Sequence, residues 1–217
     1  MHLVPNAITL LGLPAGLLAG FFLYKGFFFF ASVFLLALCA CDFFDGALAK
    51  KKGLTSPFGA LLDSTVDRVA EFFIFMGALF YYFEEGSIGM AAVTYWALAG
   101  SLLVSYTRAR AENFIKNCRV GFWERPERLL LILLGLLAGR LKTALLILAI
   151  GSTFTALDRI LHTRESLRHN ERDLFEPAAG VRPLYQRILF WRYPRASWPY
   201  RIYAGLIVLL TLCVRLP

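Results

Sequence analysis

Long apolar runs with only brief polar breaks constrain this chain more than any other feature. They cover residues 7–24, a stretch from 27 to the acidic pair Asp42 and Asp45, the length 58–83, then 88–106, 129–138 and 143–157. Six membrane spans of ~20 residues would occupy ~120 positions, and the whole chain has 217 residues. Hydrophobic residues make up 58% and charged residues 18%, against about 45–50% and about 25% in soluble domains. No large soluble catalytic domain fits in what remains. The expected fold is an all-α integral membrane protein, a six-helix transmembrane bundle. Pro14 is expected to kink the first helix, and Gly12, Gly16 and Gly20 to let a neighbour approach closely. Lys25-Gly26, Glu84-Glu85-Gly86 and the Arg140–Lys142 region read as turns, and residues 54–57 as a loop. The fifth and sixth runs are short for spans unless flanking polar positions join them.

The net charge of +8 points to a membrane surface rather than to nucleic acid once its placement is followed. Of the 23 Lys and Arg residues, only Lys25, Arg140 and Lys142 fall clearly on the opposite side of the spans, with Arg215 at the C-terminal end. This is the positive-inside pattern, with both ends of the six-span core in the cytosol. The first apolar run lacks a basic start and a small-residue cleavage site, so it is expected to be retained. The four cysteines and three histidines show no metal-ligand spacing. Beyond residue 158 the composition changes. Arginines interleave with aromatics and with Pro177, Pro183, Pro194 and Pro199, as expected of a charged interfacial arm on anionic lipid. The last run, 202–214, would rise only ~20 Å as helix, so an interfacial helix is favoured over a seventh span.

The chemistry concentrates between Asp42 and Asp67. Asp42 and Asp45 are three apart at the end of the second helix, and Asp63 and Asp67 four apart near the start of the third, so each pair shares a face. Four carboxylates brought to one end of a helix hairpin repel one another unless cations hold them. An all-oxygen ligand set suits a hard divalent ion that also binds phosphate. Gly46 and Gly59 permit close approach to a ligand, and Lys50 follows Gly46 by one turn, placed to meet an anion. Intramembrane carboxylates also serve ion or solute transport, which is the alternative of another class. The nearby basic and aromatic residues favour a phosphorylated substrate.

The same stretch resembles the signature of the CDP-alcohol phosphatidyltransferases, Asp-x2-Asp-Gly-x2-Ala-Arg-x8-Gly-x3-Asp-x3-Asp. Asp42, Asp45, Gly46, Ala49, Gly59, Asp63 and Asp67 match it in every interval, and Lys50 stands where the family carries Arg. The resemblance covers about residues 5–167. It implies a membrane domain over 1–167, followed by the charged arm and terminal hydrophobic segment over 168–217. It further implies transfer of the phosphoalcohol half of a CDP-alcohol to a hydroxyl with release of CMP, using two Mg²⁺ or Mn²⁺ ions. Asp42, Asp45 and Asp63 would hold the ions, with Asp67 as a further ligand or as the base. Cytidine would lie against Asp42, Gly46, Ala49, Lys50 and Gly59, and Pro5-Asn6-x2-Thr9 resembles the element that brings Asn6 and Thr9 to the nucleotide. A homodimer in the cytoplasmic membrane, with the active site facing the cytosol, is the further implication.

For the acceptor, Ser105-Tyr106-Thr107-Arg108-Ala109-Arg110-Ala111-Glu112, the segment Gly121–Arg128 and Thr155–Arg159 are similar to the branch that makes phosphatidylinositol phosphate or archaetidylinositol phosphate. That likeness places Ser105, Arg108, Arg125 and Arg159 around the phosphate of inositol phosphate. Glycerol-3-phosphate is the alternative acceptor. Whether the lipid donor is CDP-diacylglycerol or a CDP-archaeol type, and whether Glu124 and Glu127 orient the arginines, stay open at this level. Arg164, Arg168 and Arg172 are expected at the surface.

Overall fold

The structure, a computed structural model, describes residues 3–52, 56–168, 198–214 and 216, with side chains described there except at 3–9 and 44–52. Every element among the described residues is a helix: α1 (Leu3–Tyr24), α2 (Phe28–Lys52), α3 (Pro57–Glu84), α4 (Ile88–Ala111), α5 (Arg125–Leu137), α6 (Leu141–Arg168) and α7 (Trp198–Cys213). The first six fall on the six apolar runs. α4 and α6 are long and apolar enough to cross a membrane, whereas the apolar stretches Leu10–Tyr24, Phe28–Phe43 and Trp198–Cys213 are shorter. Large apolar side chains stand exposed on these helices, among them Phe29 (70%), Ile88 (74%) and Phe83 (68%). Soluble monomers rarely leave so much contiguous apolar surface uncovered.

The chain divides into two compact units, Met1–Tyr95 with Leu136–Gly139, and Trp96–Gly135 with Arg140–Pro217. In the first, α1 packs against both α2 and α3. The α1–α3 seam is built from small residues. A Cβ on Gly16 would lie 2.7 Å from the Ala70 Cβ, and one on Gly77 would run into the Gly20 backbone. Gly77 is therefore spent on a contact inside the chain. Leu23, Leu35, Leu38, Ile74 and Phe75 fill the buried space on either side. α1 continues unbroken through Pro14. Ser56 caps α3 by accepting the Gly59 N–H at 2.9 Å, with Pro57 in the first turn, where a missing N–H costs nothing. That cap fixes where α3 begins, and with it the register of Asp63 and Asp67.

In the second unit α6 continues eleven residues past the C-terminal end of its apolar run, to Arg168. Hydropathy falls after Leu157, but no helix breaker intervenes, so the backbone carries Asp158, Arg159 and Glu165 on the same helix. α4 and α6 meet at Gly100, where a Cβ would lie 2.9 Å from that of Ser152, and Trp96 Nε1 donates to Thr153 Oγ1 at 2.9 Å. A tight turn joins α5 to α6, with the Arg140 N–H donating to the Gly135 carbonyl at 2.6 Å.

Candidate functional site

Within the first unit, an acidic group lies on α2 and α3. Asp42 is half-buried near the C-terminal end of α2. Asp63 and Asp67 are half-buried on α3, one turn apart, beyond the Ser56 cap. Arg68 approaches the Asp67 carboxylate at 3.9 Å. Gly59 offers its N–H to Ser56. Asn6 and Thr9 belong to α1, and Asp45, Gly46, Ala49 and Lys50 to α2, but their side chains lie outside those described. Among the described residues no three His, Cys, Asp or Glu side chains gather into a metal-binding group. The donor set of Asp42, Asp63 and Asp67 is nevertheless all carboxylate oxygen on half-buried helix faces, which suits Mg²⁺ or Mn²⁺ and not a soft metal.

Within the second unit, a separate basic cluster is built from α4, the turn that follows it, the start of α5 and the later part of α6. Glu124, immediately before α5, sits between two guanidinium groups: its Oε1 is 3.5 Å from Arg108 Nη1 and 3.5 Å from Arg159 Nη2. Arg108 also donates through Nε to Glu112 Oε1 at 3.0 Å, and Glu112 accepts the Cys118 N–H at 3.3 Å. Arg159 is 1% exposed. Its Nε donates to the Val120 carbonyl at 3.0 Å and its Nη1 to the Val104 carbonyl. The two backbone carbonyls satisfy Nε and Nη1, while Nη2 is buried without a hydrogen bond among the described residues and faces Glu124 as an ion pair. Of the four residues expected around the acceptor phosphate, Arg108 and Arg159 thus share Glu124. Ser105 donates to the Ser101 carbonyl at 3.3 Å, and Arg125 opens α5 half-buried.

The structure separates the two glutamates that the sequence left equivalent. Glu124 bridges the arginines, whereas Glu127 accepts the Tyr200 hydroxyl at 2.8 Å. Arg128, not singled out from the sequence, is 1% exposed and donates to the Trp123 carbonyl at 3.0 Å. Its signal was available: it follows Arg125 by three positions and therefore shares its helix face. Gly121 takes φ +91°, a conformation open to glycine without strain, and its Cβ would lie 3.2 Å from the Thr155 Cβ. Phe122 and Trp123 follow, buried, with the Trp123 indole against Gly151. Arg164 and Arg168 are exposed as expected, and Arg172 lies outside the described residues. Burial pushes the Cys118 thiol above its ordinary range, although the Arg159 charge opposes it.

An acidic helix pair and a carboxylate-bridged arginine cluster on an all-helical apolar scaffold are what a membrane enzyme handling phosphate esters requires. The profile of CDP-alcohol phosphatidyltransferase matches residues 2–169, and the chain belongs to that family. It is 37% identical over 176 residues to the phosphatidylinositol phosphate synthase of Streptomyces avermitilis, covering 74% of this chain and 72% of that one. It is 33% identical over 168 residues to the archaetidylinositol phosphate synthase of Pyrococcus horikoshii, covering 77% and 87%. The crystal structure of Mycobacterium tuberculosis phosphatidylinositol phosphate synthase with CDP-DAG bound superposes with a TM-score of 0.68 at 31% identity, over 74% of this chain and 86% of that one. The same enzyme in complex with manganese and citrate gives 0.69 at 30% identity, over 83% and 87%.

Proposed function

We propose that this chain transfers the phosphatidyl group of CDP-diacylglycerol, or its ether-lipid counterpart, to the hydroxyl of inositol phosphate and releases CMP. The observation that carries the acceptor is the likeness to inositol-phosphate-using synthases of both lipid types, joined to an arginine cluster that answers a phosphorylated acceptor. Asp42, Asp45, Asp63 and Asp67 are the candidate holders of two Mg²⁺ or Mn²⁺ ions, which when bound neutralise the diphosphate and the departing CMP. Asp67 takes the proton of the attacking hydroxyl. The acceptor oxygen forms the new bond to the lipid-side phosphorus as its bond to the CMP oxygen breaks, and the electron pair leaves with CMP. Asn6, Thr9, Gly46, Ala49, Lys50 and Gly59 line the cytidine side. Arg108 and Arg125, with Ser105 and the anchored charge of Arg159, hold the acceptor phosphate and do not take part in proton transfer.

On this reading α1–α6 all cross the cytoplasmic membrane, with the aspartates at the cytosolic end, as the distribution of basic residues supports. Homodimerisation follows from the family, and its interface lies away from Gly20 and Gly77, which pack on each other. The arm beyond residue 168 associates with anionic lipid, so truncation from Glu171 weakens binding to anionic liposomes. The reading is tested by offering purified protein CDP-diacylglycerol, Mn²⁺ and, in separate reactions, inositol phosphate, glycerol-3-phosphate, serine and inositol. CMP release with inositol phosphate is expected. Release only with another acceptor overturns the choice of alcohol, and ion flux altered by Asp67→Asn without any release overturns the transferase reading.

A further inference from the structure

The family profile ends at residue 169, so nothing in it accounts for α7. One end of α7 meets the first turn of α6, where Thr143 Oγ1 donates to the Val214 carbonyl at 2.8 Å. Near its other end, Tyr203 lines a cavity of about 310 Å³ together with Thr155 and Asp158 of α6. From Thr143 to Thr155 a helix rises ~18 Å, and from Val214 back to Tyr203 ~16 Å. α7 therefore lies along α6, antiparallel to it and over a matching length. A helix resting in the interface would cross α6 at one level instead of meeting it both in its first turn and near Thr155.

α7 also grips the turn that carries Glu124. The Phe122 ring lies 5.1 Å from that of Tyr200 and 5.1 Å from that of Tyr203. The Tyr200 hydroxyl donates to Glu127 in the first turn of α5. Directly behind Phe122, the Trp123 N–H donates to Thr155 Oγ1 at 3.4 Å and Glu124 bridges Arg108 and Arg159. The turn is held on one side by α6 and on the other by two tyrosines from outside the family domain.

We propose that α7 is a seventh membrane-crossing helix, antiparallel to α6, that braces the turn from Gly121 to Glu127 and makes Tyr200 and Tyr203 positioning residues for the acceptor half of the site. The kinetic part rests on the acceptor assigned above; the placement of α7 does not. The apolar run is short for a span and shorter than that of α6 beside it, and a bilayer thins around a short helix at modest cost.

Two measurements on the full chain test this. With Cys39, Cys41 and Cys118 replaced by alanine, Cys213 is labelled in membrane vesicles with a membrane-impermeant maleimide. Two reporters, Arg140→Cys and Arg168→Cys, are each made in a background that also lacks Cys213. Position 213 is expected to label from the same side as 140 and from the side opposite 168. Labelling from the side of 168 overturns the crossing. In the kinetic arm, Tyr200→Phe and Tyr203→Ala are expected to raise the KM for inositol phosphate about threefold to tenfold, the worth of one hydrogen bond or ring contact. The KM for the CDP-lipid stays unchanged, and Tyr203→Phe restores the acceptor KM. Equal shifts in both KM values, or no shift, overturn the brace. A wild-type protein that releases no CMP with inositol phosphate overturns the acceptor assignment and with it the kinetic role of the tyrosines, while the labelling pattern still decides whether α7 crosses.

Discussion

Gly77→Ala puts the α1–α3 seam under direct load. The added Cβ would stand 2.7 Å from the Gly20 carbonyl carbon and 2.8 Å from its Cα. Carbon atoms in contact prefer about 3.5–4.0 Å, and the Gly20 carbonyl oxygen is met more closely still, so the two helices must part by about 1 Å. Both neighbours are backbone, which has no rotamer to yield. The cost belongs at the upper part of the range for overpacking, about 2–3 kcal/mol. Replacing a helical glycine by alanine returns at most about 1 kcal/mol of propensity, so a net loss of about 1–2 kcal/mol is expected. Gly89→Ala supplies the control, because nothing stands within 4 Å of its Cβ, and it should match or slightly exceed wild type. Thermal unfolding of the three proteins in one detergent, followed by circular dichroism, reads the difference. Gly20→Ala meets the Phe73 backbone at the same crossing. The double variant should therefore lose less than the sum of the two, since one separation relieves both clashes. Equal stability of Gly77→Ala and Gly89→Ala, or strict additivity at 20 and 77, would refute the packing argument.

The other expectations concern the site. Asp67→Asn should lower CMP release about 100-fold or more, the usual worth of a positioned base, with CDP-lipid binding retained in a titration; turnover near wild type removes Asp67 from proton transfer. Chelation by EDTA should abolish CMP release and added Mn²⁺ restore it; full activity in EDTA counts against the divalent-ion requirement. Lys50→Arg should preserve or raise turnover, because a guanidinium presents a planar fork where the ammonium is a point charge, and a large loss would show a site shaped around lysine. Cys118 should resist alkylation near neutral pH, since a thiol pushed up by burial carries little thiolate until the pH passes its raised pKa. Rapid labelling of Cys118 at pH 7 in folded protein, compared with Cys213, would contradict its burial.

What the sequence disclosed followed from backbone periodicity and composition. The faces of Asp63 and Asp67 depend only on their spacing along one helix, and the six apolar runs depend only on residue type. The partners of charged residues depend instead on how helices rotate against each other. Glu124 and Glu127 are three apart and look interchangeable in the sequence, yet one bridges Arg108 and Arg159 while the other accepts from Tyr200. Gly77 gave no hint of its partner, because the clash that requires glycine comes from Gly20 on another helix. α6 outlasts its apolar run because hydropathy stops at Leu157 while helix propensity does not.

Arg159 shows how this affects function. In the sequence, only the family resemblance sets it apart from Arg164 and Arg168. In the structure Arg164 and Arg168 are exposed, while Arg159 is buried and bound to two backbone carbonyls from other segments, Val104 and Val120. A guanidinium held on two carbonyls has one edge left to act with, and that edge meets Glu124. Under the proposed function, its positive charge would therefore act on the acceptor phosphate from a fixed position, not through a side chain that swings to the ligand. Arg159→Lys should accordingly fail to substitute, because an ammonium cannot span Val104, Val120 and Glu124 from one centre. Activity near wild type in that variant, with unchanged thermal stability, would show that charge alone suffices there.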